Sequence, residues 1–377
     1  MHVICTGISG TGRLDWLRQV VALARGNNLD VKLYDVTETM FEIGRAVGEP
    51  VEEETILDMF PRALVLLRAA ALEQICSSIQ AAPDRDWILN THAVFRWKNT
   101  LISGFDPHYL GRLDPHLFVT ITSGVKTTLG RLKSQERWAQ LREQDVLTWR
   151  EEEQFFTEQM ARIHRKPQLL LPRSISPHEG FRALFEPSRT RAYLSYPMQH
   201  VPPDKERGLA EFKARLAEDI VVFDPADVND FLVEDRLDAS RTDGSVALAS
   251  LRDGETRGPR RDPLQQHIAD QIVERDYKLI AQSDIVVVFY DVAVPSPGVI
   301  SEMKFALESG KQVYGVWLPD NEPSVFFTRY CSVWFGSTEA LFAHLAERGI
   351  AASASADLQT GIEHDSTVAV RQRQALA

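Results

Sequence analysis

The run Pro295-Ser296-Pro297-Gly298-Val299-Ile300-Ser301-Glu302 joins a small-residue turn to a carboxylate. It follows the apolar stretch Ile285 to Tyr290 and precedes a helical pattern from Met303 to Ser309. A turn at the carboxyl end of a buried strand is where open α/β sheets bind ligands. A lone acid in the first turn of a helix is ordinarily a solvated complement to the helix dipole. Glu302 has company, however: Asp284 stands at the start of the same strand and Asp291 at its end. Carboxylates and small polar groups converging on one strand suit chemistry on a small ligand. A second candidate is Gly7-Ile8-Ser9-Gly10-Thr11-Gly12-Arg13-Leu14, between a strand-like and a helix-like segment. Glycines there let backbone N–H groups turn inward on a phosphate, with the helix N-terminus adding positive potential.

These residues need a scaffold, and the pattern supplies two. Strand-like segments (His2 to Thr6, Val31 to Asp35, Trp87 to Asn90, Leu117 to Thr122, Gln168 to Leu171) alternate with helical ones (Asp15 to Arg25, Glu53 to Ala81, Glu136 to His164). Alternation of this kind implies a parallel sheet covered on both faces. The composition changes between Pro172 and Arg191, and a second α/β pattern begins at Ala192-Tyr193-Leu194-Ser195. The expected fold class is α/β, with two three-layer αβα domains, each built on a mainly parallel sheet. The expected boundaries are residues 1–173, a linker at 174–190, a second domain at 191–348 and a disordered tail at 349–377. The polar stretch Val233 to Asp262 reads as a solvated loop or a flap over a site.

Composition narrows the function. The chain has 377 residues, 44% of them hydrophobic, enough for two cores. A net charge of −11 argues against a nucleic-acid polymer as partner, while leaving small anionic ligands open. Three scattered cysteines, no signal peptide and only strand-sized apolar runs point to a cytoplasmic protein without a membrane span. Ten histidines show no paired-ligand spacing, so metal catalysis is not expected. The runs Glu151-Glu152-Glu153 and Arg275-Asp276-Tyr277-Lys278 read first as solvated helix faces, the latter also within reach of a phosphate. Trp97 and Lys98 suit either packing or a nucleotide pocket.

The first half resembles the adenylate-kinase-like branch of P-loop nucleoside monophosphate kinases, over roughly residues 1–173. Besides the loop, the resemblance rests on Asn90-Thr91-His92-Ala93, Gly104-Phe105-Asp106-Pro107, and the close through His164, Lys166-Pro167 and Pro172-Arg173. It implies nucleotide binding at Gly7, Gly10, Gly12 and Arg13. Leu14 stands where that pattern needs a hydroxyl for magnesium, and Arg13 where it needs lysine. A degenerate domain follows, one that binds nucleotide as a sensor or structural ligand, or whose glycine turn binds nothing. A working kinase using Arg13 is the remaining option.

The second half resembles the nucleoside 2-deoxyribosyltransferase superfamily, through Tyr193-Leu194-Ser195-Tyr196-Pro197, Asp284-Ile285-Val286-Val287 and the Pro295–Glu302 element. It is most similar to the 2′-deoxynucleoside 5′-monophosphate N-glycosidases, since Ser296 stands where nucleoside-specific relatives carry an aspartate. Ser296 and the exposed amide of Gly298 then suit a phosphate, with Tyr196 also at the substrate. Cleaving an N-glycosidic bond passes through an oxocarbenium-like state and needs a carboxylate beneath the sugar and a proton for the departing base. Glu302 fits the first role, as covalent nucleophile or electrostatic stabiliser. Asp284 or Asp291 can orient base or sugar, or supply the proton where burial raises its pKa. Tyr193 or Tyr196 can hydrogen-bond Glu302. No cofactor is required, apart from a nucleotide bound in the first domain. The resemblance also implies a homo-oligomer. Open alternatives are a deoxyribosyltransferase, an NAD-cleaving glycohydrolase and a nucleotide-sensing regulator without turnover.

Overall fold

The computed structural model describes residues 1–97, 100–228, 230 and 263–351. Lys98, the polar stretch Val233 to Asp262 and the tail beyond residue 351 lie outside the described residues. The chain divides into two compact units, one of Met1–Phe185 with Val228–Ile272, the other of Glu186–Asp227 with the described residues from Val273. Among the described residues, no helix is long and apolar enough to cross a membrane.

In the first unit, β1 (His2–Thr6) leads to α1 (Arg13–Gly26), β2 (Val31–Asp35), α2 (Val36–Ala46), α3 (Pro61–Gln80) and β3 (Asp86–Asn90). The antiparallel pair β4 (Val94–Trp97) and β5 (Thr100–Ser103) follows, then α4 (Pro107–Leu110) and β6 (Leu117–Thr122). α5 (Val125–Lys133), α6 (Glu143–His164), β7 (Gln168–Pro172) and α7 (Pro177–Phe185) close it. The main sheet runs β2-β3-β1-β6-β7, every pair parallel. β6 is buried along its whole length, as expected when helices cover both faces. The segment read as a linker carries α7, which packs on α1. Gly180 sits so close to the Trp16 indole that a β-carbon there would come within 2.2 Å of the ring, and the indole N–H donates to the Ile175 carbonyl at 3.0 Å.

The second unit holds β8 (Arg191–Ser195), α8 (Pro203–Asp219) and β9 (Val221–Phe223). α9 (Pro263–Ala281) comes next, its residues from Val273 belonging here, then β10 (Ile285–Tyr290), α10 (Pro297–Glu308) and β11 (Gln312–Trp317). α11 (Val325–Tyr330), β12 (Val333–Phe335) and α12 (Thr338–Glu347) end it. The sheet order is β12-β11-β10-β8-β9, again parallel throughout. The protein is therefore α/β, with two five-stranded parallel sheets and flanking helices.

Period-two alternation sorts the side chains of the central strands. Ile285, Val287 and Phe289 join Ala192, Leu194, Phe212 and Leu216 in one core. Tyr193, Ser195, Val286, Val288 and Tyr290 are left for the opposite face, all buried. Tyr193 pairs with Val286 and Ser195 with Val288 in register, so β8 presents two hydroxyls beside the middle of β10.

Candidate functional site

The turn after β10 is built to start a helix early. Ser296 is the N-cap, its hydroxyl accepting from the Val299 N–H at 3.4 Å, and Pro297 takes the first helical position, where its fixed φ is an advantage. α10 thus begins six residues before the Met303 expected from the sequence, and Glu302 lies in its second turn, not its first. Val299, Met303 and Ala306 form the buried stripe, and Glu302, at i+3 from Val299, shares that face. A carboxylate occupies a position where the helix pattern places a core side chain.

Glu302 keeps some accessible surface, although protein crowds the carboxyl group itself. The Ser195 hydroxyl donates to its Oε2. The buried Tyr193 hydroxyl adjoins the carboxylate and acts on it, though among the described residues it makes no well-formed hydrogen bond. Burial, first, and then the charge of Asp276 push Glu302 up to about 8, against the opposing pull of Ser195, Tyr193 and Arg275. Burial and the Glu302 charge likewise hold the Tyr193 phenol well above its usual range. Tyr290 completes this side: it is raised by burial, feels Glu302, and its hydroxyl accepts from the Ser296 N–H at 3.1 Å.

Asp276 and Arg275 are a correction to the sequence reading of a solvated face. They are 5% and 6% exposed, and Arg275 Nε and Nη2 donate to Asp276 Oδ1 at 3.1 and 3.0 Å. Each stands four residues before a buried apolar residue of α9, Leu279 and Ile280, so the helical period puts both on the inward stripe. Tyr277 stacks on Phe305 with ring centroids 4.3 Å apart, its hydroxyl 2.7 Å from that of Ser301.

The remaining expected residues fall in different places. Asp284 is exposed and lies at the opposite end of the sheet, accepting from the Arg191 N–H at 2.8 Å. It precedes a strand that Glu302 follows, so the length of β10 separates them, and the structure does not bring Asp284 to Glu302. Asp291 is at the correct edge but is held by Lys205, with Nζ 2.8 Å from Oδ1. Tyr196 turns to the other face, donating at 3.1 Å to Asp224, an almost fully buried acid that also accepts from the Ala226 N–H at 2.8 Å and pairs with Lys213. It is therefore Tyr193, not Tyr196, that adjoins Glu302 directly. Gly298 is exposed, and a β-carbon there would only touch Ser296 Oγ at 3.9 Å. Ser195, Tyr290, Asp224 and Asp276 were not singled out as site residues in the sequence.

In the first unit, a cavity of about 460 Å³ opens at the carboxyl ends of β1, β2 and β3. Gly10, Gly12 and Arg13 line it together with Asp35, Asn90 and His92. Gly10 has φ +80°, and a β-carbon there would lie 2.7 Å from Leu132 Cγ, so glycine is required twice over. Gly7 does not line the cavity. Its N–H donates at 2.8 Å to Glu153, which also accepts from Ala93 and Val94 at 2.9 and 2.8 Å. Glu153 is fully buried, which corrects its assignment to a solvated face; Glu152 pairs with Arg96. Burial raises the Glu153 carboxyl despite nearby Arg13 and the three amides. Arg13 is turned inward, its guanidinium donating to the Gly7 carbonyl and to Asn90 Oδ1. Arg131 and Arg173 donate to the Thr11 and Gly12 carbonyls at 2.7 and 2.9 Å. Burial, then Arg13 and Arg68, keep the His92 imidazole well below its usual range, so it serves the cavity as a neutral ring.

The cavity and the raised carboxyl group of Glu302 thus lie in different units. The Glu302 cluster carries the more specific chemistry, because cavity volume alone selects no reaction. No protein-family model matches this chain, and no curated protein matches it either.

Proposed function

We propose that the second unit is an N-glycosidase that cleaves the base–sugar bond of a nucleoside or deoxynucleoside 5′-monophosphate through Glu302. The observation that carries this reading is one carboxyl group, on the buried stripe of α10, beside the hydroxyls of Ser195 and Tyr193 and coupled to a second buried acid, Asp276. In the ionised form Glu302 stabilises, or bonds to, the electron-deficient C1′ as the C1′–N bond breaks. Asp276 takes the proton-handling role for which Asp284 and Asp291 were first considered, because its charge acts on Glu302 while Asp284 lies at the far end of β10 and Asp291 is held by Lys205. The base leaves with a proton, and water supplies the hydroxyl that ends on C1′; a second base in place of water gives transfer. The exposed Gly298 at the start of α10 supports recognition of a phosphate, while the Ser296 hydroxyl is engaged as the helix cap.

The first unit, in this reading, binds nucleotide without transferring phosphate. The 460 Å³ cavity is of ligand size. Arg13 braces the loop from within, and Leu14 offers no metal ligand. The test is a mass-spectrometric screen for free base, with nucleoside and deoxynucleoside monophosphates, nucleosides, triphosphates and NAD as substrates. Release from monophosphates supports the proposal. Release only from NAD or from nucleosides moves the substrate class. Binding without release from any of them leaves the regulator.

A further inference from the structure

Arg275 is a buried cation that the reaction above does not use. Neighbouring residues of a helix point about 100° apart and do not ordinarily meet. Arg275 nonetheless folds back on Asp276, placing Nε and Nη2 on the same carboxylate oxygen, with both side chains almost inaccessible. It makes a fork on one acid of the site, and its charge acts on Glu302. The groups around Glu302 are Tyr193 and Ser195 from β8, Tyr290 from β10, and Arg275 and Asp276 from α9, with Tyr196 and its partner Asp224 beyond. Among these described residues, Arg275 is a cation whose charge acts on Glu302.

We infer that Arg275 is a positioning residue of the glycosidase site, its fork on Asp276 fixing a guanidinium beside the Asp276–Glu302 pair. The role rests on the proposed function, but it also has a consequence that exists without any substrate. Two acids share a buried site, and each proton lost from the pair is easier to remove while the guanidinium is present. Arg275 therefore sets where the pair titrates. Lysine keeps the charge without the fork, and methionine keeps the bulk without the charge.

The test is a carboxyl-carbon NMR titration of the full chain labelled in Asp and Glu, with Glu302→Gln identifying the Glu302 resonance. Wild type, Arg275→Met, Arg275→Lys and Asp276→Asn are compared, and base release is followed separately. The Glu302 transition is expected to rise by about one pH unit or more in Arg275→Met. It should return most of the way in Arg275→Lys and fall in Asp276→Asn. Should Arg275→Met fail to fold, Arg275→Gln, which also removes the charge, takes its place with the same expected rise and the same overturning result. An unmoved Glu302 transition in Arg275→Met overturns the inference, as does a change confined to KM for the phosphate-bearing substrate, which would make Arg275 a phosphate ligand. If no variant, wild type included, releases base, the N-glycosidase reading fails while the titration still decides the role of Arg275.

Discussion

Replacing Ser195 with alanine removes the hydroxyl that donates to Glu302 and leaves the rest of β8 intact. With Glu302 at about 8, its ionised fraction is about 1% at pH 6, about 10% at pH 7 and about 90% at pH 9. If the ionised form acts at C1′, kcat/KM of the wild type climbs about tenfold per unit up to pH 7 and flattens above 9. A hydrogen bond to a charged group contributes about 1.5–3 kcal/mol, which corresponds to about one to two pKa units. Ser195→Ala should therefore move the rising limb up by that amount, cutting kcat/KM at pH 7 by about 10- to 100-fold. Much of the loss should be recovered near pH 10. The assay is initial-rate base release between pH 6.5 and 10, above the second ionisation of a phosphate monoester. A loss in Ser195→Ala that is constant across pH refutes this reasoning. So does a wild-type profile that falls through pH 8, which would make Glu302 a proton donor.

Further outcomes follow from the same geometry. The Glu302 pKa is higher folded than unfolded, so the stability it lends is full below the usual carboxylate range and lost as pH rises through about 8. Glu302→Gln should accordingly match the wild type in Tm near pH 4 and exceed it above pH 8, as differential scanning calorimetry would show. Glu153→Ala leaves the Gly7, Ala93 and Val94 amides without their acceptor. At about 1–3 kcal/mol for each buried donor, denaturant titration of the first unit should show a loss of about 3 kcal/mol or more. Gly180→Ala should destabilise by about 1–3 kcal/mol despite the better helix propensity of alanine, because its β-carbon would collide with Trp16. An increase in stability would contradict that packing.

The α/β class and the order of most elements were legible because buried parallel strands and amphipathic helices have distinct periods. α2 escaped notice although Asp35 caps it, accepting from the Glu38 N–H at 2.7 Å, because Asp35 also ends β2. The short strands β4 and β5 carry too little alternation to stand out. At the site, Glu302 and Tyr193 were readable from type and position. Ser195 could have been found two residues beyond Tyr193 on the same face, and Asp276 four residues before Ile280 on the same helical stripe. Asp284 precedes β10 and Glu302 follows it, so the length of that strand keeps them apart, a separation already legible in the place of Asp284 at the strand start. Glu153 was hidden in a run of three like residues, of which the helix turns one to the core.

In the proposed function, Glu302 carries the cleavage of a nucleotide's base–sugar bond. Rates of base release by wild type and by Glu302→Gln, compared at pH 8 on the best monophosphate substrate, test it most directly. Loss of a group that acts at the reacting carbon should lower kcat by about 10³-fold or more, with the variant folded by circular dichroism. A folded Glu302→Gln protein that releases base within a few-fold of the wild-type rate would contradict the account.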